Sequence, residues 1–254
     1  MGPFYFYNKE LEYNSMSDKI VIVGATGYTG STLALSLSKD EVSCHLVGRD
    51  HAKLQDLASK TNSSFAVCNI EDDQSVKDSL DTISNDKIVG LAYCIGSIVL
   101  KPFSMTKEDD YINAYKLNVI GAVRFIKHAY KKLAESNGSV VLFSTVAVDR
   151  GFTLHSVISS AKGAIQGLTT SLAAEFAPKV RVNCIAPSIT ESKMANSILG
   201  NEKLKDQIAL KHALKRTGKP EDLAETAKFL LSSNSSWITG QTIHVDGGKI
   251  NIET

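Results

Sequence analysis

The sequence predicts an α/β fold built on a doubly wound parallel sheet in a single domain. Short β-branched runs alternate with helical segments along the chain, and such alternation requires parallel strands joined by right-handed crossovers. The length of 254 residues, of which 43% are hydrophobic and 22% charged, allows one substantial core to be buried. No repeat or low-complexity segment interrupts the pattern, so we expect one folding unit.

Strands are predicted at short apolar, β-branched runs, and helices where apolar residues recur at helical spacing. The first unit is KIVIV, followed by the glycine-bearing turn GATGYTG and a helix with Leu33, Leu35 and Leu37 among small residues. The last helix begins behind Pro–Glu–Asp, a typical helix start. The predicted strands are residues 19–23, 44–47, 65–68, 88–95, 139–143, 180–185 and 242–245. The predicted helices are residues 31–38, 52–60, a segment starting within EDDQSVKDSL, one or two helices within 107–133, and residues 156–176 and 221–232.

The first seventeen residues lie outside this pattern, so the predicted division is an extension at 1–17 and a domain at 18–254. The segment MGPFYFYNKELEYNSM has neither the basic start nor the apolar run of a secretory signal. A loose tail is the favoured interpretation. The alternative is an arm that packs its four aromatic residues on a neighbouring subunit.

Charge and cysteine usage narrow the function classes. A formal net charge of +1 gives no electrostatic reason to expect nucleic acid or an anionic membrane as partner. No apolar run approaches the roughly 20 residues of a membrane span. The four cysteines form no CxxC pair, so we expect reduced thiols, a cytoplasmic location and no metal site.

The turn after the first predicted strand has the features of a dinucleotide site. Gly24, Gly27 and Gly30 form GxxGxxG between a strand and a helix. Glycines permit a tight turn and a close approach of the backbone to a pyrophosphate, whose charge the helix N-terminus stabilises. The alternative is a tight strand–helix turn without a ligand.

The end of the second predicted strand indicates which dinucleotide is bound. Gly48 stands where a ribose-binding acid is expected, and Arg49 follows it. A missing acid beside a cation suits a 2′-phosphate, so NADP is favoured over NAD. Asp50 leaves two alternatives open, because it could approach the ribose or pair with Arg49. A surface arginine without any ligand is a third.

Three stretches of the sequence are distinctive motifs: LNVIGAV, VRVNCIAPSITESKM and, most distinctive, KRTGKPEDLAETAKFLLSSNSSWITGQTIHVDGG. Together they resemble the short-chain dehydrogenase/reductase family from Asp18 to Gly248, and the resemblance implies a single-domain Rossmann fold. It also implies a set of groove residues that would bind the dinucleotide. These are Tyr28 at the family's middle glycine, Asn69 in place of an aspartate, Gly96 from the family's NNAG, Pro187, Ile189 through its main chain, and Ser192 in place of a threonine.

The catalytic segment of that family is similar to SVVLFSTVAVDRGFTLHSVISSAKGAIQGLTT, with one departure. The family carries a serine, a tyrosine thirteen residues later, and a lysine four residues further on. These positions fall on Thr145, Ile158 and Lys162, while Asn118 stands at the family's asparagine. Ser144 lies beside Thr145. Isoleucine has no proton to give, so the resemblance implies an atypical member without the catalytic tyrosine.

A substitute acid is therefore needed if the protein is an enzyme. His155 lies three residues before Ile158, and a helix that already includes it would place it on the face of Lys162. Imidazole is a common acid/base group, but His155 could equally lie in the preceding loop as a bystander. Lys162 with a lowered pKa is another candidate, and Tyr28 and Tyr93 are further ones, although Tyr93 is better explained as a core residue.

The resemblance implies three alternative functions. The favoured one is an NADP(H)-dependent oxidoreductase acting on a small carbonyl or alcohol, with an altered acid/base residue. The second is a catalytically silent nucleotide-binding paralogue with a regulatory role, and the third is a structural subunit without cofactor. Assembly as a homotetramer or homodimer through the Lys162 helix is expected. Phe152, Leu154, Ile158 and the loop 193–213 are expected to form an apolar lid over the substrate.

Overall fold

A computed structural model of the chain describes residues 18–192 and 200–253, and it confirms the doubly wound fold. The strands are β1 Asp18–Val23, β2 Cys44–Gly48, β3 Ser64–Val67, β4 Lys87–Tyr93, β5 Ser139–Phe143, β6 Arg181–Pro187 and β7 Thr242–Val245. Within the described residues, these seven strands form one parallel sheet in the order β3-β2-β1-β4-β5-β6-β7. The predicted extension 1–17 and residues 193–199 of the predicted lid lie outside the described residues.

Helices cover both faces of the sheet, as right-handed crossovers between parallel strands require. The helices are α1 Tyr28–Lys39, α2 His51–Thr61, α3 Asp73–Asp81, α4 Glu108–Tyr115, α5 Gly121–Glu135, α6 Ser156–Phe176, α7 Glu202–Ala209 and α8 Pro220–Leu231. One apolar layer packs α3, α5 and α6 against the sheet, and the other packs α1, α2 and α8. A π-helical turn, Lys116–Ile120, joins α4 to α5.

Two differences from the predicted elements affect the site. Helix α1 begins at Tyr28, three residues earlier than predicted, so it starts directly after Gly27. Helix α7 was not predicted. It is capped by the side chain of Asn201, which accepts a hydrogen bond from the amide of Leu204, and it has no buried residue. Its eight residues place only Leu204 and Ile208 at helical spacing, which is too short a pattern to mark a helix in a sequence.

Candidate active site

The carboxyl ends of the strands border a groove with a volume of about 1160 Å³. It opens where β1 and β4 lie side by side and the strand order reverses, the usual ligand position in such sheets. The groove exceeds the roughly 300–1,000 Å³ of a typical small-molecule site, so an extended ligand fits. Most of the predicted site residues line it: Gly24, Gly27, Tyr28, Arg49, Asn69, Gly96, Thr145, His155, Lys162, Pro187, Ile189 and Ser192. Gly30 and Asn118 lie directly behind its wall.

The glycine turn forms one end of the groove, and its glycines are required by close backbone contacts. Gly24 has φ +82°, and a Cβ there would lie 2.7 Å from Ile95 Cγ1. A Cβ on Gly30 would lie 2.5 Å from the carbonyl oxygen of Gly24. No side chain caps the start of α1, and its first turn holds no acidic residue. The turn therefore presents a helix N-terminus suited to a phosphate.

The end of β2 adds positive charge to the same region of the groove. Asp50 caps α2 by accepting a hydrogen bond from the amide of Lys53, and it also pairs with the Lys53 ammonium. Asp50 is thus engaged away from Arg49. Arg49 is exposed, and within residues 18–192 and 200–253 its guanidinium has no hydrogen-bond or ion-pair partner. Arg49 and Lys53 both line the groove.

Two polar side chains converge behind Gly96. A Cβ on Gly96 would lie 3.3 Å from both Asn118 Oδ1 and Lys162 Nζ. Asn118 is fully buried in the π-helical turn, where its Nδ2 donates to the carbonyl of Ala114 at 2.8 Å, and its Oδ1 has no hydrogen-bond partner among the described residues. A π-helical turn often marks a functional site. An unsatisfied buried oxygen is costly, which indicates a place for a hydrogen-bond donor.

Lys162 is a buried ammonium on α6. Its side chain is 7% exposed, and its Nζ donates to the carbonyl of Phe143 at 2.8 Å. Burial lowers the pKa of Lys162 from 10.5 to about 8. The residue one turn earlier is Ile158, which is 5% exposed and lines the groove. The position facing the groove beside the lysine is therefore apolar.

Two hydroxyl residues, Ser144 and Thr145, line the groove at the end of β5. Thr145 Oγ1 accepts a hydrogen bond of 3.3 Å from the amide of Ala147. The hydroxyl of the adjacent Ser144 is buried and donates to the carbonyl of Lys162 at 3.1 Å. Ser144 therefore holds α6 against β5, whereas the Thr145 hydroxyl has no acceptor for its proton among the described residues.

His155 lies just before α6 rather than within it. The helix begins at Ser156 with His155 as the capping residue, so the shared helical face with Lys162 does not form. Its Nδ1 lies 2.6 Å from the carbonyl oxygen of Thr153 and must donate, because a carbonyl only accepts. Its Nε2 is the atom left to act, and the ring lies next to Phe152 in the groove.

Tyr93 is a core residue, as the sequence indicated. It is 2% exposed, its hydroxyl donates to the carbonyl of Leu117 at 2.7 Å, and burial raises its pKa. The other tyrosine candidate, Tyr28, is the first residue of α1 and is half exposed beside the phosphate turn. Of the predicted lid residues, Phe152 and Ile158 line the groove, and Leu154 is exposed outside it.

A hydroxyl–imidazole pair in the groove escaped sequence analysis. Ser188 Oγ lies 2.8 Å from Nε2 of His212, and both residues line the groove. His212 is 24 positions further along the chain, in a segment whose specific residues begin only at Lys215. No local pattern connects the two, so only the fold could bring them together.

Basic side chains gather at the rim next to this pair. Lys211 and Lys249 line the groove, and Lys249 Nζ donates to the carbonyl of Lys211 at 3.1 Å. Arg150 donates to the carbonyl of Lys249 at 3.0 Å. Partial burial, with Arg150 and Lys211 as neighbours, lowers the pKa of Lys249. No three His, Cys, Asp or Glu side chains cluster as metal ligands, and no helix could span a membrane, within the residues that the structure describes.

Comparison with known proteins supports the class that this fold and groove define. A family profile described as enoyl-(acyl carrier protein) reductase matches residues 29–249. The chain is 30% identical over 237 residues to the 3-oxoacyl-(acyl-carrier-protein) reductase FabG of Rickettsia conorii, covering 91% of this chain and 96% of that protein. It is also 30% identical to a chloroplastic tropinone reductase homologue of Arabidopsis thaliana, covering 92% and 76%.

Solved structures give the same result. A short-chain type dehydrogenase/reductase from Mycobacterium ulcerans superposes with a TM-score of 0.84 at 27% identity, covering 91% of this chain and 89% of that one. The chain belongs to the short-chain dehydrogenase/reductase family, an oxidoreductase family with nicotinamide cofactors. The roles of individual groove residues stay predictions.

Proposed function

We propose that the protein is an NADP(H)-dependent oxidoreductase that interconverts a carbonyl compound and its alcohol without a catalytic tyrosine. The observation that carries this proposal is the buried pair behind Gly96. Lys162 Nζ and the unpaired Asn118 Oδ1 both border that glycine, in a groove whose other end is the phosphate turn. A buried cation and an unsatisfied oxygen are costly to keep in an apolar wall, and a ligand with hydroxyl groups would satisfy both.

The groove residues fit a dinucleotide in the order that the family resemblance implies. The turn at Gly24 and Gly27 would hold the pyrophosphate, Asn69 the adenine side, and Lys162 the nicotinamide ribose. The main chain of Ile189 and the residues Pro187 and Ser192 would border the nicotinamide. When bound, this group supplies or accepts the hydride and its electron pair.

The choice of NADP over NAD rests on positive charge at the end of β2. Arg49 has no partner among the described residues, and Lys53 lines the groove next to it. Asp50 caps α2, so its carboxylate is held by Lys53 rather than left for a ribose. A guanidinium next to an ammonium suits a 2′-phosphate.

The missing tyrosine is the second part of the proposal. Ile158 lies one helical turn before Lys162 and faces the groove, the place that the family resemblance gives to the tyrosine. Thr145 would polarise the substrate carbonyl in place of the serine. Because general acid catalysis is typically worth about 10²–10⁴ in rate, another group must move the proton in an active enzyme. The alternative, a nucleotide-binding protein without turnover, would need no such group.

Nucleotide titration followed by a carbonyl screen tests this function. By calorimetry, NADPH should bind more tightly than NADH, and Arg49→Ala should reduce the ratio of the two affinities by roughly ten- to hundredfold, since a hydrogen bond to a charged group is worth about 1.5–3 kcal/mol. Lys39→Ala, at the far end of α1, is the matched control and should leave the ratio unchanged. Equal affinities in the unmodified protein would refute the NADP preference. Binding without reduction of any carbonyl would favour the silent paralogue.

We also propose a homotetramer or homodimer in a reducing, cytoplasmic setting. The outer side of α5 and α6 carries a shallow recess of about 280 Å³ lined by Val123, Ile126, Tyr130, Leu168 and Leu172 among others. The four cysteines are free. Light scattering should give a mass of two or four chains, and Leu168→Glu should dissociate them; a monomer would contradict this assembly.

A further inference from the structure

Ser188 and His212 are joined by a short hydrogen bond inside the groove. Ser188 follows Pro187 at the end of β6, and its Oγ lies 2.8 Å from His212 Nε2. His212 lies in the turn after α7 and is 2% exposed. The histidine is therefore held in place, while the serine reaches the groove.

The second nitrogen of His212 settles which atom carries the proton. Nδ1 lies 2.9 Å from the carbonyl oxygen of Ile208, and a carbonyl only accepts, so Nδ1 carries hydrogen. In the neutral ring, Nε2 then accepts the hydroxyl proton of Ser188. A hydroxyl, an imidazole and a group that orients the imidazole are the arrangement by which enzymes activate a serine hydroxyl.

The strand ends bring this pair next to the predicted catalytic segment. The amide of Val146 donates to the carbonyl of Pro187 at 3.1 Å, and the amide of Ser144 donates to the carbonyl of Ile185 at 2.7 Å. The chain at Thr145 therefore runs alongside the chain at Ser188, and both residues line the groove that contains Ile158.

We propose that Ser188 and His212 act as the acid/base pair of this enzyme. This inference rests on the proposed oxidoreductase function. In alcohol oxidation, Ser188 Oγ takes the proton of the substrate hydroxyl while its own proton passes to His212 Nε2. The alcohol would lose one proton to this pair and one hydride, which a nicotinamide bound in the groove would take up. In carbonyl reduction the imidazolium returns the proton through Ser188 to the substrate oxygen. Ser188 is the catalytic residue and His212 acts through it.

Steady-state kinetics on the full-length protein test the relay. Ser188→Ala and His212→Gln should each lower kcat by at least about tenfold. This is a conservative bound, because general acid catalysis is typically worth about 10²–10⁴ in rate. KM and NADPH affinity should change little, because neither substitution removes a group that holds the nucleotide. Ser188→Thr keeps a hydroxyl and should retain most of the rate. His128→Gln on α5, which pairs with Asp73 far from the groove, is the matched control.

A second measurement needs neither cofactor nor turnover. In the nucleotide-free protein, the ¹⁵N resonance of His212 Nε2 should move on Ser188→Ala, while the resonances of His155 should not. An unchanged His212 signal would show that the pair is not formed and would overturn the inference. A shifted signal with full kcat in Ser188→Ala would remove the catalytic role and leave the oxidoreductase function standing.

Two further outcomes separate the alternatives. A loss of kcat confined to His155→Gln would move the proton path to His155 and overturn the pair. An unmodified protein that binds NADPH and reduces no carbonyl would refute the proposed function, and the pair would then have no reaction to serve.

Discussion

Burying the ammonium of Lys162 destabilises the fold, and the size of this effect can be worked out from the structure. Burial lowers the pKa of Lys162 from 10.5 to about 8. A tenfold change in a dissociation constant corresponds to about 1.4 kcal/mol, so at neutral pH the buried charge costs roughly 3 kcal/mol. This cost is present below about pH 8, where the folded protein must bind the proton.

Lys162→Met is the perturbation that exposes this cost. Methionine keeps an unbranched side chain of similar shape and removes the charge. It also removes the donor to the carbonyl of Phe143, and an unsatisfied buried acceptor costs about 1–3 kcal/mol. The two effects oppose each other, and the variant should be more stable than the native protein by about 1 kcal/mol at pH 7.

The sign of this difference should reverse as the pH rises. Between about pH 8 and 10.5 the unfolded chain binds the Lys162 proton and the folded protein does not. The free energy of unfolding of the native protein therefore rises with pH relative to the variant. Above this window the charge no longer opposes folding, and the hydrogen bond to Phe143 leaves the native protein the more stable of the two.

Urea unfolding of the nucleotide-free protein at pH 7, 8.5 and 10 measures this difference directly. Lys131→Met, at an exposed position of α5, is the control, and its difference from the native protein should stay constant with pH. A difference between Lys162→Met and the native protein that is the same at every pH would refute the reasoning. It would mean that the ammonium reaches solvent in the folded state.

Three further predictions concern the groove and the core. Ile158→Tyr should raise carbonyl reduction, since the Lys162 ammonium is in place to lower the pKa of a tyrosine hydroxyl; a folded, NADPH-binding variant with no gain would contradict the proposed loss of tyrosine. Gly121→Ala should lower the free energy of unfolding by about 1–3 kcal/mol, because its methyl would lie 2.1 Å from the Tyr93 hydroxyl; Gly163→Ala, with 3.7 Å to its nearest neighbour, should not. Carboxylate-bearing carbonyl compounds should show lower KM than their esters, and Lys249→Gln and added salt should reduce this advantage; equal KM values would contradict it.

The fold could be predicted from the sequence because each strand and most helices are marked by residues that are close together in the chain. Each strand is a short apolar run, and β5, α6 and β7 have the predicted bounds. The sequence predicts the start of α1 three residues too late because Thr29 and Gly30 are poor helix formers in isolation. Its true start at Tyr28 is set by the glycine turn.

Site residues that belong to a sequence motif could be predicted, whereas those brought together from distant segments of the chain could not. Lys162 and Asn118 were identified from short blocks, and the structure places both against Gly96. His155 depended on where α6 begins, and a difference of one residue removes it from the helical face. His212 has no motif of its own. Its relation to Ser188 arises from the packing of the segment after α7 onto the end of β6.

The buried groups behind Gly96 connect stability to function. Lys162 and the unpaired oxygen of Asn118 both destabilise the nucleotide-free protein, and both border the same short stretch of backbone. Natural proteins keep such costs mainly where activity needs them. A ligand that donates to Asn118 and accepts from Lys162 would offset both costs at once. NADPH should therefore raise the unfolding temperature of the native protein more than that of Lys162→Met, whereas equal increases would show that the lysine does not hold the nucleotide.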